Sequence, residues 1–157
     1  EGLAVIYPNR GASVANLSEQ EARNIFEIRM FLEMGALELS IPRLTEEDVA
    51  EAEAILVLID GAHHTEDCNL LNWNFHKILY RRADNPKLLD QIKIMNNNVE
   101  RYMRMYLVTM HYQAKSQQEH RRLLEACRNK SVKKAQNILR RHMENAAKHL
   151  AEYLHNK

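Results

Sequence analysis

Hydrophobic residues along most of this chain recur every three or four positions, which is the spacing of one face of an α-helix. The pattern predicts six amphipathic helices, over about residues 18–41, 45–59, 67–83, 86–110, 115–129 and 131–155. Ser18 with Glu21, and Thr45 with Asp48, have the spacing of capping boxes at two of the helix starts. Short loops between amphipathic helices are typical of an all-α, antiparallel bundle, here of six or seven helices.

The first seventeen residues follow a different pattern. Residues 3–7 are β-prone, residues 8–11 form a turn cluster, and residues 13–15 predict a short return strand. An isolated hairpin is only marginally stable, so this segment is predicted to be a remnant of a larger unit or a linker. We therefore divide the chain into residues 1–17 and a helical domain of residues 18–157.

Composition agrees with this fold prediction and limits the kind of protein that the chain can be. A chain of 157 residues can bury the core of one domain, and its four Gly and three Pro leave few helix breakers. The formal net charge of +1 gives no electrostatic argument for binding nucleic acid or a membrane. Two isolated cysteines, no signal-peptide pattern and no long apolar run predict a cytoplasmic protein without membrane contact.

Three of the eight histidines fall on faces that are predicted to point inward. His142 lies within the apolar stripe of residues 135–150, His120 shares a face with the leucines that follow it, and His76 lies one turn after Asn72. An imidazole that faces a core needs partners for both ring nitrogens. Each histidine alone fits an ordinary core position, whereas three on three helices of one small bundle indicate a shared metal site. The other five histidines are predicted to be exposed.

Two arginines occupy similar positions. Arg29 lies on the inward stripe of the first helix, and Arg101 lies at the edge of the stripe of the fourth. A guanidinium does not deprotonate in a protein, so a buried arginine requires an anion. For Arg29 the sequence leaves two interpretations open: an internal ion pair, for example with Glu33, and a bound carboxylate or phosphate.

All of these residues except Arg101 lie in segments that resemble the FCD effector domain of GntR-family bacterial transcription regulators. The motifs occur in the family's order across about residues 18–155, and the resembling segments are Glu27–Glu33, Asn72–His76, Asn85–Pro86, Glu119–Ala126 and Ala135–His142. Residues 1–14 resemble the wing that ends a winged-helix DNA-binding domain. The resemblance implies that the helix-turn-helix of the intact protein lies outside this chain.

The resemblance also implies a metal site. One divalent ion, with zinc favoured over nickel, cobalt or manganese, would be bound by His76, His120 and His142. Asn72 stands where the family usually has Asp, which leaves open whether it is a ligand.

The same resemblance implies partners. A small organic acid would complete the metal site as the effector, with Arg29 and Arg101 as its candidate binding residues. The intact protein would be a homodimer, joined through the first and fourth helices, and would bind operator DNA only through its N-terminal domain.

Two other functions remain open from the residues alone. A metalloenzyme with three histidine ligands, such as a hydrolase, would need a nearby general base, and the inward stripes offer no unpaired carboxylate for that role. The chain also has no Gly-rich phosphate loop, GxSxG or HExxH motif, so we expect that it is not an enzyme. The second alternative is a purely structural helical dimerisation module in which the three histidines satisfy one another.

Overall fold

The structure is a computed structural model that describes the backbone of residues 4–7, 11–14, 18–62, 65–110 and 113–155, and the side chains of 18–62, 68–100 and 115–155. Six helices make up most of it: α1 Glu19–Ser40, α2 Glu46–Gly61, α3 Thr65–Tyr80, α4 Pro86–Met110, α5 Gln113–Arg128 and α6 Val132–His155. Short 3-10 turns, Ile41–Arg43 and Arg81–Ala83, follow α1 and α3. The all-α prediction is confirmed, and the helix bounds lie close to the predicted ones.

A two-stranded hairpin precedes the helices. Strand β1, Ala4–Tyr7, pairs antiparallel with β2, Gly11–Val14, so that Ala4 lies opposite Val14 and Tyr7 opposite Gly11. The predicted hairpin is therefore present, with its second strand starting earlier than expected. Its interpretation as the end of a DNA-binding domain stays a prediction.

Both predicted capping boxes are present. The side chain of Ser18 accepts a hydrogen bond from the backbone N–H of Glu21, and that of Thr45 accepts one from Asp48. Asp48 is buried and also accepts a hydrogen bond of 2.8 Å from Arg82 Nε, which ties the start of α2 to the 3-10 turn after α3. Burial alone would raise the pKa of Asp48, but the hydrogen bonds from Arg82 and Thr45 outweigh it and lower the pKa to about 2.

The helices surround one hydrophobic core in which α1 packs closely against α6 and α4, while α2 packs against α3 and α5. Helices α5 and α6 are joined by a short turn and pack along each other as an antiparallel hairpin. Polar groups are buried within this core as well, and buried polar groups need hydrogen-bond partners or ligands. They are Arg29, Glu33, Ser40, Asp48, Asn69, His76, Gln117, His120 and His142. Among the described helices, none has a stretch apolar and long enough to cross a bilayer.

Candidate metal centre

Three imidazoles meet at the centre of the bundle. His76 comes from α3, His120 from α5 and His142 from α6, and all three are buried. Their ring centroids lie 5.1 Å apart for His76 and His120, 4.7 Å for His120 and His142, and 5.6 Å for His76 and His142. One ring nitrogen of each lies within 4.8 Å of those of the other two. The structure therefore brings together the three histidines that the sequence singled out.

The first imidazole is held by a buried chain of hydrogen bonds. Nδ1 of His76 lies 3.1 Å from the Tyr80 hydroxyl, which donates to Glu33 Oε2 at 2.6 Å. Glu33 also accepts from Arg29 Nε at 2.9 Å. Because the one proton of the Tyr80 hydroxyl goes to Glu33, Nδ1 of His76 must be the donor in its contact with Tyr80. The lone pair of His76 is consequently on Nε2.

A side-chain amide fixes the tautomer of the second imidazole, again with the proton on Nδ1. Nε2 of Gln117 donates to the Leu56 carbonyl at 3.1 Å and to Asp60 Oδ1 at 2.9 Å, which orients the amide. Its oxygen then faces Nδ1 of His120 at 3.1 Å and accepts the proton there. Nε2 of His120 is buried and has no hydrogen-bond partner in the described part of the chain.

The third imidazole is hydrogen-bonded to a carboxylate. Nδ1 of His142 lies 2.8 Å from Glu119 Oε2, and the other oxygen of Glu119 accepts from Asn145 Nδ2 at 2.9 Å. Burial would raise the pKa of Glu119, but the hydrogen bonds from His142 and Asn145 lower it. An ionised carboxylate only accepts, so Nδ1 of His142 is again the donor.

Burial favours the neutral form of two imidazoles of the cluster, those of His76 and His120. Burial holds the pKa of His76 and of His120 well below the usual value, and neighbouring His142 lowers both further. A neutral imidazole whose Nδ1–H is held by an outer acceptor presents Nε2 to a metal ion, and this is the usual arrangement of metal-binding histidines.

The residues present fit a divalent ion. The buried Nε2 of His120 is costly to leave without a partner, and a cation among three imidazoles would supply one. Three neutral nitrogen ligands suit zinc, and also nickel, cobalt or manganese.

A cavity of about 70 Å³ lies beside two of the imidazoles. Both Asn72 and Arg29 line it together with His76 and His142, so these four of the predicted metal and effector residues share one space. The remaining polar lining comes from α3, α4 and α5, and consists of Asn69, Asn96, Glu100 and Ser116.

For Arg29 the structure shows the internal ion pair, and the bound anion stays a prediction. Arg29 forms the internal ion pair with Glu33 at 2.9 Å, and it also lines the cavity. Arg101 belongs to α4, but its side chain lies outside the described residues, so its predicted role stays a prediction.

The two other histidines whose side chains the structure describes have no part in this cluster. His149 and His155 lie near the end of α6, close to Glu152 and Glu19 respectively. The side chain of His155 is exposed, as predicted, whereas that of His149 is half-buried. The remaining three, His63, His64 and His111, lie outside the described residues.

The residues that hold the histidines were not identified from the sequence. Tyr80 lies four residues after His76, and Gln117 three residues before His120, which places each pair on one helix face. This spacing could have identified both residues as partners of the histidines from the sequence alone. Glu119 contacts His142 only because α5 packs on α6, and the sequence alone contains no sign of this contact.

Comparison with known proteins agrees with the resemblance. The family model of the FCD domain matches residues 24–145. The chain is 28% identical over 159 residues to an uncharacterized HTH-type transcriptional regulator, YdhC of Bacillus subtilis, and the match covers 98% of this chain and 70% of that protein.

Two solved structures are also similar. A GntR-family transcriptional regulator of Pseudomonas syringae pv. tomato is 29% identical, with a TM-score of 0.83 over 98% of this chain and 65% of that one. E. coli McbR/YncC is 19% identical with a TM-score of 0.85, over 96% of this chain and 74% of that one, and shows likeness of fold alone. The chain thus spans less than two thirds of the Pseudomonas protein that it matches.

Proposed function

Because this chain belongs to the FCD domain family of GntR-type transcription regulators, we propose that it senses a small organic acid through a metal ion bound at its centre. The observation that carries the proposal is the cluster of His76, His120 and His142, whose Nδ1 atoms are all engaged by outer partners. The relatives are transcription regulators and not enzymes, which agrees with the prediction that the chain is not an enzyme.

The metal ligands in this proposal are the three Nε2 atoms. A divalent ion, when bound there, supplies the positive charge that attracts a carboxylate to the cavity. Asn72 lines the same cavity and offers a neutral amide oxygen as a fourth ligand. Neither the imidazoles nor this amide carries a negative charge, so the ion would attract an anionic effector, although the Glu100 carboxylate in the same wall would offset part of that attraction.

Arg29 would hold the acid only in part. Its guanidinium is paired with the buried carboxylate of Glu33 at 2.9 Å, so much of its charge is already offset. We therefore expect the acid to bind strongly only to the metal-loaded protein, with Arg29 orienting the carboxylate. Arg101 stays a candidate for a second cation.

The outer partners of the histidines connect the site to the rest of the bundle. Through Tyr80 the chain of hydrogen bonds from His76 reaches Glu33 on α1, and through Gln117 that of His120 reaches the end of α2. A ligand that draws the imidazoles and Arg29 together would favour one arrangement of these helices. In the intact regulator such a difference in affinity between two arrangements would alter operator binding.

An exposed apolar strip on α1 supports the proposed homodimer. Ile28, Phe31 and Leu39 lie along one side of α1, and 67% of Phe31 is accessible to solvent. Ile94 is exposed on α4, which packs against α1. Exposed large apolar side chains on two helices that pack together are a candidate protein–protein contact.

The experiment that tests the proposal compares metal-free and zinc-loaded protein by thermal shift with acetate and with citrate. Both acids should raise the melting temperature of the zinc-loaded protein and leave that of the metal-free protein unchanged. A melting temperature insensitive to chelator and to zinc would favour the purely structural module.

The role of Arg29 needs a paired substitution. Arg29→Met alone would leave Glu33 as an uncompensated buried charge, which costs about 3–5 kcal/mol. The double variant Arg29→Met, Glu33→Gln removes the pair together and keeps an acceptor for Tyr80, and Arg23→Met, at an exposed arginine of the same helix, is its control. We expect the acid-induced shift to be much smaller in the double variant and kept in the control. An unchanged shift in both would remove Arg29 from the binding site.

A further inference from the structure

Charge is distributed unevenly over the side of the bundle that α2, α5 and α6 form. Helix α2 contains six Asp and Glu and no Lys or Arg. The hairpin of α5 and α6, residues 113–155, contains ten Lys and Arg and four Asp and Glu. Since α2 packs on α5 and α5 packs on α6, an acidic helix and a basic hairpin lie side by side on one molecule.

The basic part of this side is an open groove of about 790 Å³ between α5 and α6. Its lining, which we call the basic groove, consists of Arg121, Arg122, Glu125, Lys134, Asn137, Ile138 and Arg141. Three of these side chains, Arg122, Lys134 and Arg141, are exposed and form no ion pair with the residues that the structure describes. The carboxylate of Glu125 already accepts a hydrogen bond from Arg128. The groove therefore has a net positive charge that is available to a partner.

The acidic part is a strip of α2 on the side of that helix that faces α5. We call Glu46, Ala50, Glu53 and Val57 the acidic strip, because all four are exposed and follow one another at helical spacings. The carboxylate of Glu53 lies 2.9 Å from Nη2 of Arg128, which places the strip next to α5. Glu46 forms no ion pair with any described residue, and 65% of Val57 is accessible to solvent. The strip thus offers both a negative charge and an uncovered apolar side chain.

The two surfaces match in spacing as well as in charge. Along α6 the groove presents base, apolar residue and base at Lys134, Ile138 and Arg141, with spacings of four and three residues. The first three residues of the acidic strip present acid, apolar residue and acid at the same spacings, so each set spans about 10 Å of its helix. Helices α2 and α6 also run in the same direction, because each is antiparallel to α5.

We propose that this side of the bundle is an interface between two copies of the chain, in which the acidic strip of each copy packs in the basic groove of the other. A twofold axis parallel to the helices places each α2 beside the α6 of the other copy, and it makes the two contacts equivalent. Glu53 already pairs with Arg128, but an exposed pair of this kind contributes little and is exchanged at low cost. The contact is independent of the metal centre and separate from the proposed contact through α1 and α4.

The contact should be weak and sensitive to salt, because exposed charges are screened. The Debye length is about 30 Å at an ionic strength of about 0.01 M and about 8 Å at about 0.15 M. Light scattering at high protein concentration should therefore give twice the mass at the lower ionic strength that it gives at the higher one. A mass that does not change would overturn the inference, and binding of a DNA duplex to that protein would then assign the groove to nucleic acid.

Charge reversal tests whether these two surfaces meet. Lys134→Glu with Arg141→Glu should abolish the doubling of mass, because acids then face the acidic strip. Glu46→Lys with Glu53→Lys should also abolish it, because bases then face the basic groove. An equimolar mixture of the two double variants should double in mass again, since each surface then meets its opposite charge. Where the α2 double variant does not fold, Glu46→Lys alone replaces it.

The matched control changes the same charges one residue earlier on α6. Lys133→Glu with Arg140→Glu lies on the side of the helix towards α1, where Arg140 contacts Met34, and should keep the doubling. Loss of the doubling in this control would show a general effect of net charge and would overturn the inference. A mixture of the two reversed variants that stays undoubled, while circular dichroism shows both to be folded, would overturn it as well.

Discussion

The hydroxyl of Tyr80 should control how tightly the centre binds its metal ion. It is the acceptor for Nδ1–H of His76 and the donor to Glu33, and both Tyr80 and Glu33 are only 1% exposed. Tyr80→Phe removes one oxygen atom and leaves the ring in place. His76 then loses the contact that fixes its proton on Nδ1 and its lone pair on Nε2.

Two effects of different size follow from that change. Removing an outer partner of a metal-binding histidine typically lowers metal affinity 10- to 100-fold, which corresponds to about 1.4–2.8 kcal/mol. The metal-free protein also loses stability, because a buried N–H and a buried carboxylate oxygen are each left short of a partner. We expect a loss of about 1–3 kcal/mol in the free energy of unfolding. The melting temperature should fall by about 2–4 °C for each kcal/mol.

The two effects can be measured separately. Zinc affinity is obtained by competition with a chromophoric chelator at a temperature where both proteins are folded, and stability by urea unfolding of the metal-free forms. Tyr153→Phe is the matched control, since this half-buried tyrosine lies on α6 about 16 Å along the helix from His142. A zinc affinity of Tyr80→Phe equal to that of the wild type, together with a lowered stability, would refute the positioning role and leave Tyr80 as a structural residue.

Three further predictions concern other parts of the molecule. Asn72→Asp adds a negative charge beside the imidazoles, so titration calorimetry should show tighter zinc binding and weaker binding of acetate to the zinc-loaded protein; unchanged affinities for both would remove Asn72 from the site. Phe31→Glu places a charge on the exposed strip of α1, so light scattering should show a monomer where the wild type is a dimer. Asp48→Asn should lower the free energy of unfolding at neutral pH by about 1–2 kcal/mol, as followed by urea unfolding. Folding lowers the pKa of the Asp48 carboxyl from 3.8 to about 2. Its contribution to the free energy of unfolding is therefore complete above pH 3.8 and is lost as the pH falls through about 2. The difference in free energy of unfolding between wild type and Asp48→Asn should shrink as the pH falls over this range, and a difference that stays constant would contradict the proposed cause.

The helices and the histidine cluster could be predicted because both depend on local spacing. Capping boxes and the three-to-four-residue repeat fix where helices begin and which side faces inward. His76, His120 and His142 stand on those inward sides, and an imidazole is conspicuous among apolar residues. The structure adds that all three lie within reach of one point.

What could not be predicted depends on how the helices pack together. The contact of Glu119 with His142 forms where α5 packs on α6, and the burial of Asn69 depends on how α3 packs against its neighbours. Periodicity says nothing about such contacts. The ion pair of Arg29 with Glu33 was one of two interpretations, and only the packing of α1 shows that the same arginine also lines the cavity.

The most direct test of the account is the zinc stoichiometry of the chain, measured by native mass spectrometry and titration calorimetry in a buffer that does not bind metal. His142→Gln and His149→Gln change two histidines of the same helix, one in the cluster and one near the helix end. The account predicts one zinc ion per chain for the wild type and for His149→Gln, and a loss of that ion or a large fall in its affinity for His142→Gln. A wild-type chain that binds no zinc, or a His142→Gln variant that binds it as tightly as the wild type, would contradict the assignment of a metal centre.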